Sequence, residues 1–324
     1  MRFFDAAATR SGLPFERLIP ALREMFAQGC VVPSRHSHSI ADASDATDAT
    51  DGALTSLIMP AWLPGRCYGV KTVNIAPDNA RRGLPGLHST YLLYDAVTGA
   101  PLAWMDGDQI TSRRTAAASA LAASWLARPN ARHLLVVGAG QVARLLPDAY
   151  RTVRPIERVR VWARNPSQAR AMVAELCERG WDARCAESLE AAVGEADIVS
   201  CATLATEPIL MGRWLRPGCH LDLIGSFTPA MREADDDCFA DAAVYVDTDE
   251  ALTKSGDLLG PMSRGAFGAD DVKGTLAQLA RGQASGRGTA GQRTVFKSVG
   301  TALEDLAAAM LLYDAAPETG DPAV

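Results

Sequence analysis

Two stretches of this chain carry residue types that do chemistry when held together. In Thr111-Ser112-Arg113-Arg114-Thr115-Ala116-Ala117-Ala118, two adjacent arginines stand at the mouth of an alanine-rich helix. A guanidinium fork suits a small anion, because its parallel N–H groups match the two oxygens of a carboxylate. Further on, Leu134-Leu135-Val136-Val137 runs into Gly138-Ala139-Gly140-Gln141-Val142-Ala143. That is a dinucleotide fingerprint, strengthened by the apolar strand before it and the helical stretch Val142 to Leu146 after it. The pairing implies an enzyme in which a fixed anionic substrate and a nicotinamide cofactor meet at one seam.

Within the fingerprint, Gly138 permits the tight turn and Gly140 lets the backbone approach a pyrophosphate. Ala143 takes the place of the third glycine, where helix packs on strand. With Ala139 and Gln141 these residues form the phosphate loop, and the helix N-terminus offers N–H groups and partial positive charge. The end of the following strand bears on the choice of cofactor. It reads Val161-Trp162-Ala163-Arg164-Asn165-Pro166-Ser167, with no acid to bond a ribose 2′-hydroxyl. Arg164 can pair with a 2′-phosphate, and Asn165 and Ser167 add donors. The expectation is NADPH, with NADH possible; a solvated arginine on a turn is the alternative.

The elements that must position these residues fall into two rhythms. Leu13 to Phe26 has helical spacing (Phe15, Leu18, Ile19, Leu22, Phe26), with Pro14 near its first turn. The low-complexity run Ala41 to Asp51 reads as a solvated loop tip. Strand-like stretches follow at Leu54–Met59, Tyr68–Ile75, Thr90–Tyr94 and Pro101–Met105, which implies an α+β region with an antiparallel sheet. From Ala116, strands at Leu134–Val137, Val159–Trp162, Ile198–Ala202, His220–Ile224 and Val244–Val246 alternate with helical stretches such as Gln168–Cys177. That order predicts a doubly wound parallel sheet. Asp270–Arg281 and Ser298–Tyr313 read as further helices, the second apolar on one face, and the tail with Pro317 and Pro322 as frayed.

Composition sets the bounds. With 48% hydrophobic and 22% charged residues, the chain reads as globular, with a substantial core. A net charge of −6 and no basic stripe exclude a nucleic-acid footprint. No apolar run is long enough to span a bilayer, and the charged amino-terminal stretch does not read as a secretory segment. Seven scattered cysteines without C-x-x-C spacing or histidine partners imply reduced thiols in a cytoplasmic protein and no metal.

Several linked segments then occur in one order: Pro33-Ser34-Arg35-His36, Met59-Pro60, Gly69-Val70-Lys71-Thr72-Val73-Asn74, Asp106-Gly107, the Arg113-Arg114 tract, Gly225-Ser226-Phe227-Thr228-Pro229-Ala230-Met231-Arg232-Glu233, and Phe296-Lys297-Ser298-Val299-Gly300. Over roughly residues 13–312 this order resembles the ornithine cyclodeaminase/mu-crystallin family. The resemblance implies an α/β protein, a Rossmann domain over 116–298 inserted in an α+β substrate-binding and dimerisation domain over 1–115 and 299–324. It implies a homodimer in which antiparallel sheets pair. It also implies that Arg35 and Arg114 hold a substrate carboxylate and that Lys71 is the catalytic group beside the reacting carbon. Strand alternation alone allows Lys71 on either face. Arg113 reads as a solvated or salt-bridged neighbour, and His36 and His88 as structural.

One departure is informative. Where the cyclodeaminases carry an aspartate that contacts the substrate amine, this chain has Phe227, which cannot assist ammonia loss and would pack on ring methylenes. The stretch Gly86-Leu87-His88-Ser89-Thr90-Tyr91 resembles bacterial members that reduce Δ1-pyrroline-2-carboxylate and Δ1-piperideine-2-carboxylate. The expected partner is therefore a small cyclic imino acid, reduced to L-proline or L-pipecolate. Thr90 (with Ser89), Thr203, Ile224, Gly225, Lys297 and Ser298 join the phosphate loop, Arg164 and Asn165 as candidate cofactor contacts, as does Arg114. The alternatives are an ornithine cyclodeaminase or amino-acid dehydrogenase, and a non-enzymatic binder of NADPH and an acid.

Overall fold

The computed structural model describes residues 1–40 and 54–316; the low-complexity run from Ala41 and the tail from residue 317 lie outside the described residues. The chain divides into two compact units. Met1–Ala21, Gln28–Arg114 and Ala302–Val324 form the first, Leu22–Ala27 and Thr115–Thr301 the second.

The first unit is built on a six-stranded sheet of β1 (Arg2–Phe4), β2 (His36–Ile40), β3 (Leu54–Leu63), β4 (Cys67–Ile75), β5 (Leu87–Asp95) and β6 (Pro101–Asp106), in the order β1-β6-β5-β4-β3-β2. All pairs are antiparallel except β1 beside β6. The short β1 and the exposed β2 carry too little apolar alternation to be read from sequence. Side chains alternate faces along a strand, so the register sets Met59, Lys71, Tyr91 and Met105 in a row across β3 to β6. All four are buried. Helices α1 (Ala6–Gly12), α2 (Phe15–Gln28), α3 (Gly107–Leu126) and the last helix α10 (Ala302–Ala315) complete the chain's non-Rossmann elements, and α10 packs on β3 and β4. The helix expected from Ser298 begins only at Ala302. Gly300 takes a left-handed φ of 75°, and the Val299 and Gly300 N–H groups donate to Asp247 at 2.8 and 2.6 Å. From Ala302 to Met310, α10 is buried on all sides rather than along one stripe.

The second unit is a parallel sheet of eight strands: β7 (His133–Val137), β8 (Arg158–Trp162), β9 (Asp182–Cys185), β10 (Ile198–Cys201), β11 (His220–Leu223), β12 (Ala242–Val246), β13 (Gly274–Thr275) and β14 (Arg293–Lys297). Their order is β13-β12-β14-β11-β10-β7-β8-β9. Connecting helices are α4 (Gln141–Val153), α5 (Pro166–Glu178), α6 (Leu189–Glu195), α7 (Ala251–Lys254), α8 (Gly256–Ser263) and α9 (Leu276–Ala280). Central strands covered on both faces read as continuous apolar runs, and Leu134 to Val137 and Ile198 to Cys201 are buried without a break. From β7 the chain steps outward through β8 to β9, then returns to β10 on the other side of β7. The carboxyl ends of strands at such a reversal form a crevice for ligands. The helix expected over Asp270–Arg281 shrinks to α9, because Gly274 has φ 157° and enters β13 beside β12. Among the described residues no helix is long and apolar enough to cross a membrane.

Candidate active site

The first unit holds a closed group of charges. Lys71 lies mid-strand on β4 and is 1% exposed. Both oxygens of Asp305 lie 2.8 Å from its Nζ, and it also donates to Thr111 Oγ1 at 3.2 Å. Arg114, in the second turn of α3, donates from Nε to Asp305 Oδ1 at 2.9 Å and from Nη1 to Glu304 Oε2. Two cations thus meet two anions, all buried. Unpaired charge costs heavily in such surroundings, so each group depends on its partners. Glu304 and Asp305 stand in the first turn of α10, where the helix dipole favours negative charge.

Electrostatics follow from this packing. Burial lowers the Lys71 pKa to about 8; Asp305 opposes the shift and the Arg114 charge adds to it. Burial also works against the Arg114 charge, but Asp305 and Glu304 outweigh it and raise that pKa. The Asp305 carboxyl is held below its usual range, because Lys71 and Arg114 overcome the effect of burial. The sequence left the Lys71 face undecided; the register turns it inward, into the row with Met59 and Tyr91. Arg113, expected to be solvated or salt-bridged, donates to the Leu13 carbonyl at 2.7 Å and stacks over Phe15.

Other residues expected at the substrate are less enclosed. Arg35 immediately precedes the edge strand β2 and is half-buried. Thr90 is exposed on β5, and Ser89 donates to Asp108 at 2.6 Å. His36 and His88 are exposed. The sequence reading missed Glu304 and Asp305. Their signal was present: two adjacent acids inside an otherwise apolar helix, Ala302-Leu303-Glu304-Asp305-Leu306-Ala307.

The second unit presents the candidate phosphate loop at the carboxyl end of β7. Gly138 has φ 117°, and a methyl group there would strike the Ala202 carbonyl. Gly140 is the N-cap of α4 with no side-chain cap, at φ −77°. Around a methyl group at Gly140 there is only open space, room that a phosphate can take against the helix N-terminus. Ala139 is half-buried and Gln141 exposed, while Ala143 is fully buried. Those residues fit a dinucleotide. Arg164 is exposed just beyond β8; Asn165 caps α5, its Oδ1 accepting from Ser167 N at 3.0 Å and Ser167 Oγ at 2.7 Å.

Behind the loop lies a second buried network, which links residues that the sequence had marked separately. Glu233 Oε1 accepts from Thr203 N at 2.7 Å and Thr203 Oγ1 at 2.8 Å, and its Oε2 accepts from Gly225 N at 2.7 Å. One carboxylate therefore ties the turn after β10 to the turn after β11. Burial pushes the Glu233 pKa up to about 7, with Lys297 pulling it down and Asp257 raising it. Lys297, expected to line the cofactor, is instead fully enclosed, 3.4 Å from Asp257. Ser298 N bonds the Leu223 carbonyl at 3.1 Å, and Ile224 N bonds Cys201 O at 2.9 Å. Phe227, in the turn after β11, is 39% exposed.

These two arrangements can be set beside known proteins. The chain is 46% identical over 254 residues to Δ1-pyrroline-2-carboxylate reductase of Paracoccus denitrificans, covering 78% of this chain and 80% of the relative. It is 36% identical to the enzyme of that name from Colwellia psychrerythraea, covering 95% and 97%. The Thermococcus litoralis Δ1-pyrroline-2-carboxylate reductase, solved with NADH and L-proline, superposes with a TM-score of 0.90 at 32% identity over 97% of each chain. The profile of the ornithine cyclodeaminase/mu-crystallin family matches residues 32–320. That match spans most of the chain, and the chain belongs to the ornithine cyclodeaminase/mu-crystallin family.

Proposed function

We propose that this protein is an NAD(P)H-dependent reductase of cyclic ketimine carboxylates, converting Δ1-pyrroline-2-carboxylate to L-proline and Δ1-piperideine-2-carboxylate to L-pipecolate. The observation that carries it is the buried Lys71–Asp305–Arg114 group. An ammonium has three N–H donors; Asp305 and Thr111 take two from Lys71, and the third is for substrate. Arg114 spends Nε and Nη1 on carboxylates, which leaves Nη2 to join Arg35 on the substrate carboxylate. A nicotinamide, when bound, would supply the hydride. Lys71, directly or through water, would keep a proton on the imine nitrogen, which leaves the ring's imine carbon electrophilic. Phe227 stands where an amine-binding aspartate would, which disfavours ammonia loss and suits an imine already closed into a ring.

Gly138 to Gln141 would hold the pyrophosphate and Arg164 the 2′-phosphate of NADPH. We further propose a homodimer. The sheet face opposite Lys71 is rich in exposed apolar groups, with Phe3 stacked on Trp104 and Tyr68 on Tyr94; a second copy is its fitting cover. Seven free thiols accord with a reducing, cytoplasmic setting. The decisive assay is oxidation of NADPH, with NADH in parallel, by both imines. Turnover of ornithine or alanine with NAD+, and none of either imine, would reject this reading.

A further inference from the structure

Charged residues are rarely buried without reason, and α10 is otherwise a helix of Ala, Leu and Met at its buried positions. A structural contact with β3 and β4 would be served as well by apolar side chains, which often replace a buried ion pair without loss. Asp305 does something apolar side chains cannot. Its Oδ1 accepts from Lys71 at 2.8 Å and from Arg114 at 2.9 Å. Two bonds to one oxygen keep the two nitrogens within about 6 Å of each other. The elements around the carboxylate contribute Lys71 from β4, Tyr91 from β5, Thr111 and Arg114 from α3, and Glu304 from α10. Of these, only Lys71 and Arg114 are cations.

We infer that Asp305 is a positioning residue for the reaction: it sets the free N–H of Lys71 and the free end of the Arg114 fork at a fixed separation, so that one substrate meets both. The inference rests on the proposed imine reduction. It assigns to the C-terminal helix a part in aligning substrate, through Lys71 and Arg114 rather than by contact.

Asp305→Asn and Asp305→Glu test it. In Asp305→Asn, melting temperature and NADPH binding are measured beside kcat/KM for the imine. The expected loss in kcat/KM is about a hundredfold, the scale of a 1 Å misplacement, and the alkaline limb of the pH profile moves to lower pH because Lys71 loses its counter-ion. Asp305→Glu keeps the charge, so its limb stays in place while kcat/KM still falls about tenfold. The double variant Lys71→Met/Asp305→Asn removes one charge of each sign, and its kcat/KM should be no lower than that of Lys71→Met alone. A folded Asp305→Asn with wild-type kcat/KM and an unmoved limb overturns the inference, as does wild-type turnover in Asp305→Glu or additive losses in the double variant. If Asp305→Asn does not fold, the charge-conserving and double variants decide. The chain has only four lysines, so lysine-selective 15N labelling follows the Lys71 titration without turnover. If wild-type enzyme reduces no imine, the functional reading fails, while an unchanged Lys71 titration in Asp305→Asn would separately sink the role given to Asp305.

Discussion

At the scale of single residues, the proposed chemistry depends on groups that water cannot reach. Lys71 is the clearest case, with its pKa lowered to about 8 by burial. The proposed reaction needs the ammonium form, so kcat/KM should be flat on the neutral side and fall as pH rises through about 8; an initial-rate profile with the imine checks it. A profile still rising at pH 10 would count against the lysine as proton holder. Arg164 makes a different kind of prediction, because it is exposed beyond β8 and removing it should leave the fold intact. Arg164→Ala is expected to weaken NADPH by roughly tenfold or more, the scale of a charge-assisted contact, with NADH unchanged. Equal losses for both cofactors, by fluorescence titration, would remove the arginine from the 2′-phosphate.

At the scale of elements, the turn between β7 and α4 separates two uses of glycine. Gly138 is required by the chain itself, since its φ of 117° and the adjacent Ala202 carbonyl leave no place for a side chain. Gly140 has an ordinary φ and open space around it, so neither backbone nor packing requires a glycine there, and the proposed pyrophosphate contact does. Gly140→Ala should keep its melting temperature and lose cofactor affinity about tenfold or more, whereas Gly138→Ala should lose stability first; calorimetry and titration distinguish them. The same contrast shows what sequence made legible. Apolar runs ending in glycine located β7, the glycine turn after it and the parallel sheet, because those features are local. Lys71 was ambiguous because a strand's alternation gives two faces without saying which is inside; only pairing with Met59 and Tyr91 settles that. Glu304 and Asp305 were missed because their partners lie some 190 to 234 positions away in sequence. The helix expected at Asp270–Arg281 failed where Gly274 joined a sheet edge, a tertiary override of local propensity.

At the scale of the whole molecule, the first unit's outward sheet face raises the question of assembly. Phe3 is 68% and Tyr68 36% exposed, in the midst of stacked aromatic rings. Tyr68→Arg should convert a dimer to monomers without unfolding them, as light scattering coupled to size exclusion would show; a wild-type chain that is monomeric at micromolar concentration would end that proposal. Chain order has a consequence of another sort. Lys71 and Asp305 are 234 positions apart. A ribosome therefore releases the lysine long before either acid that neutralises it, with all of the parallel sheet made in the interval. Through most of synthesis the nascent antiparallel sheet must keep Lys71 hydrated or solvent-facing, and its inner row can dry out only when the final helix emerges. Translation arrest before residue 302 should thus yield a protected second unit beside a first that proteases still cut.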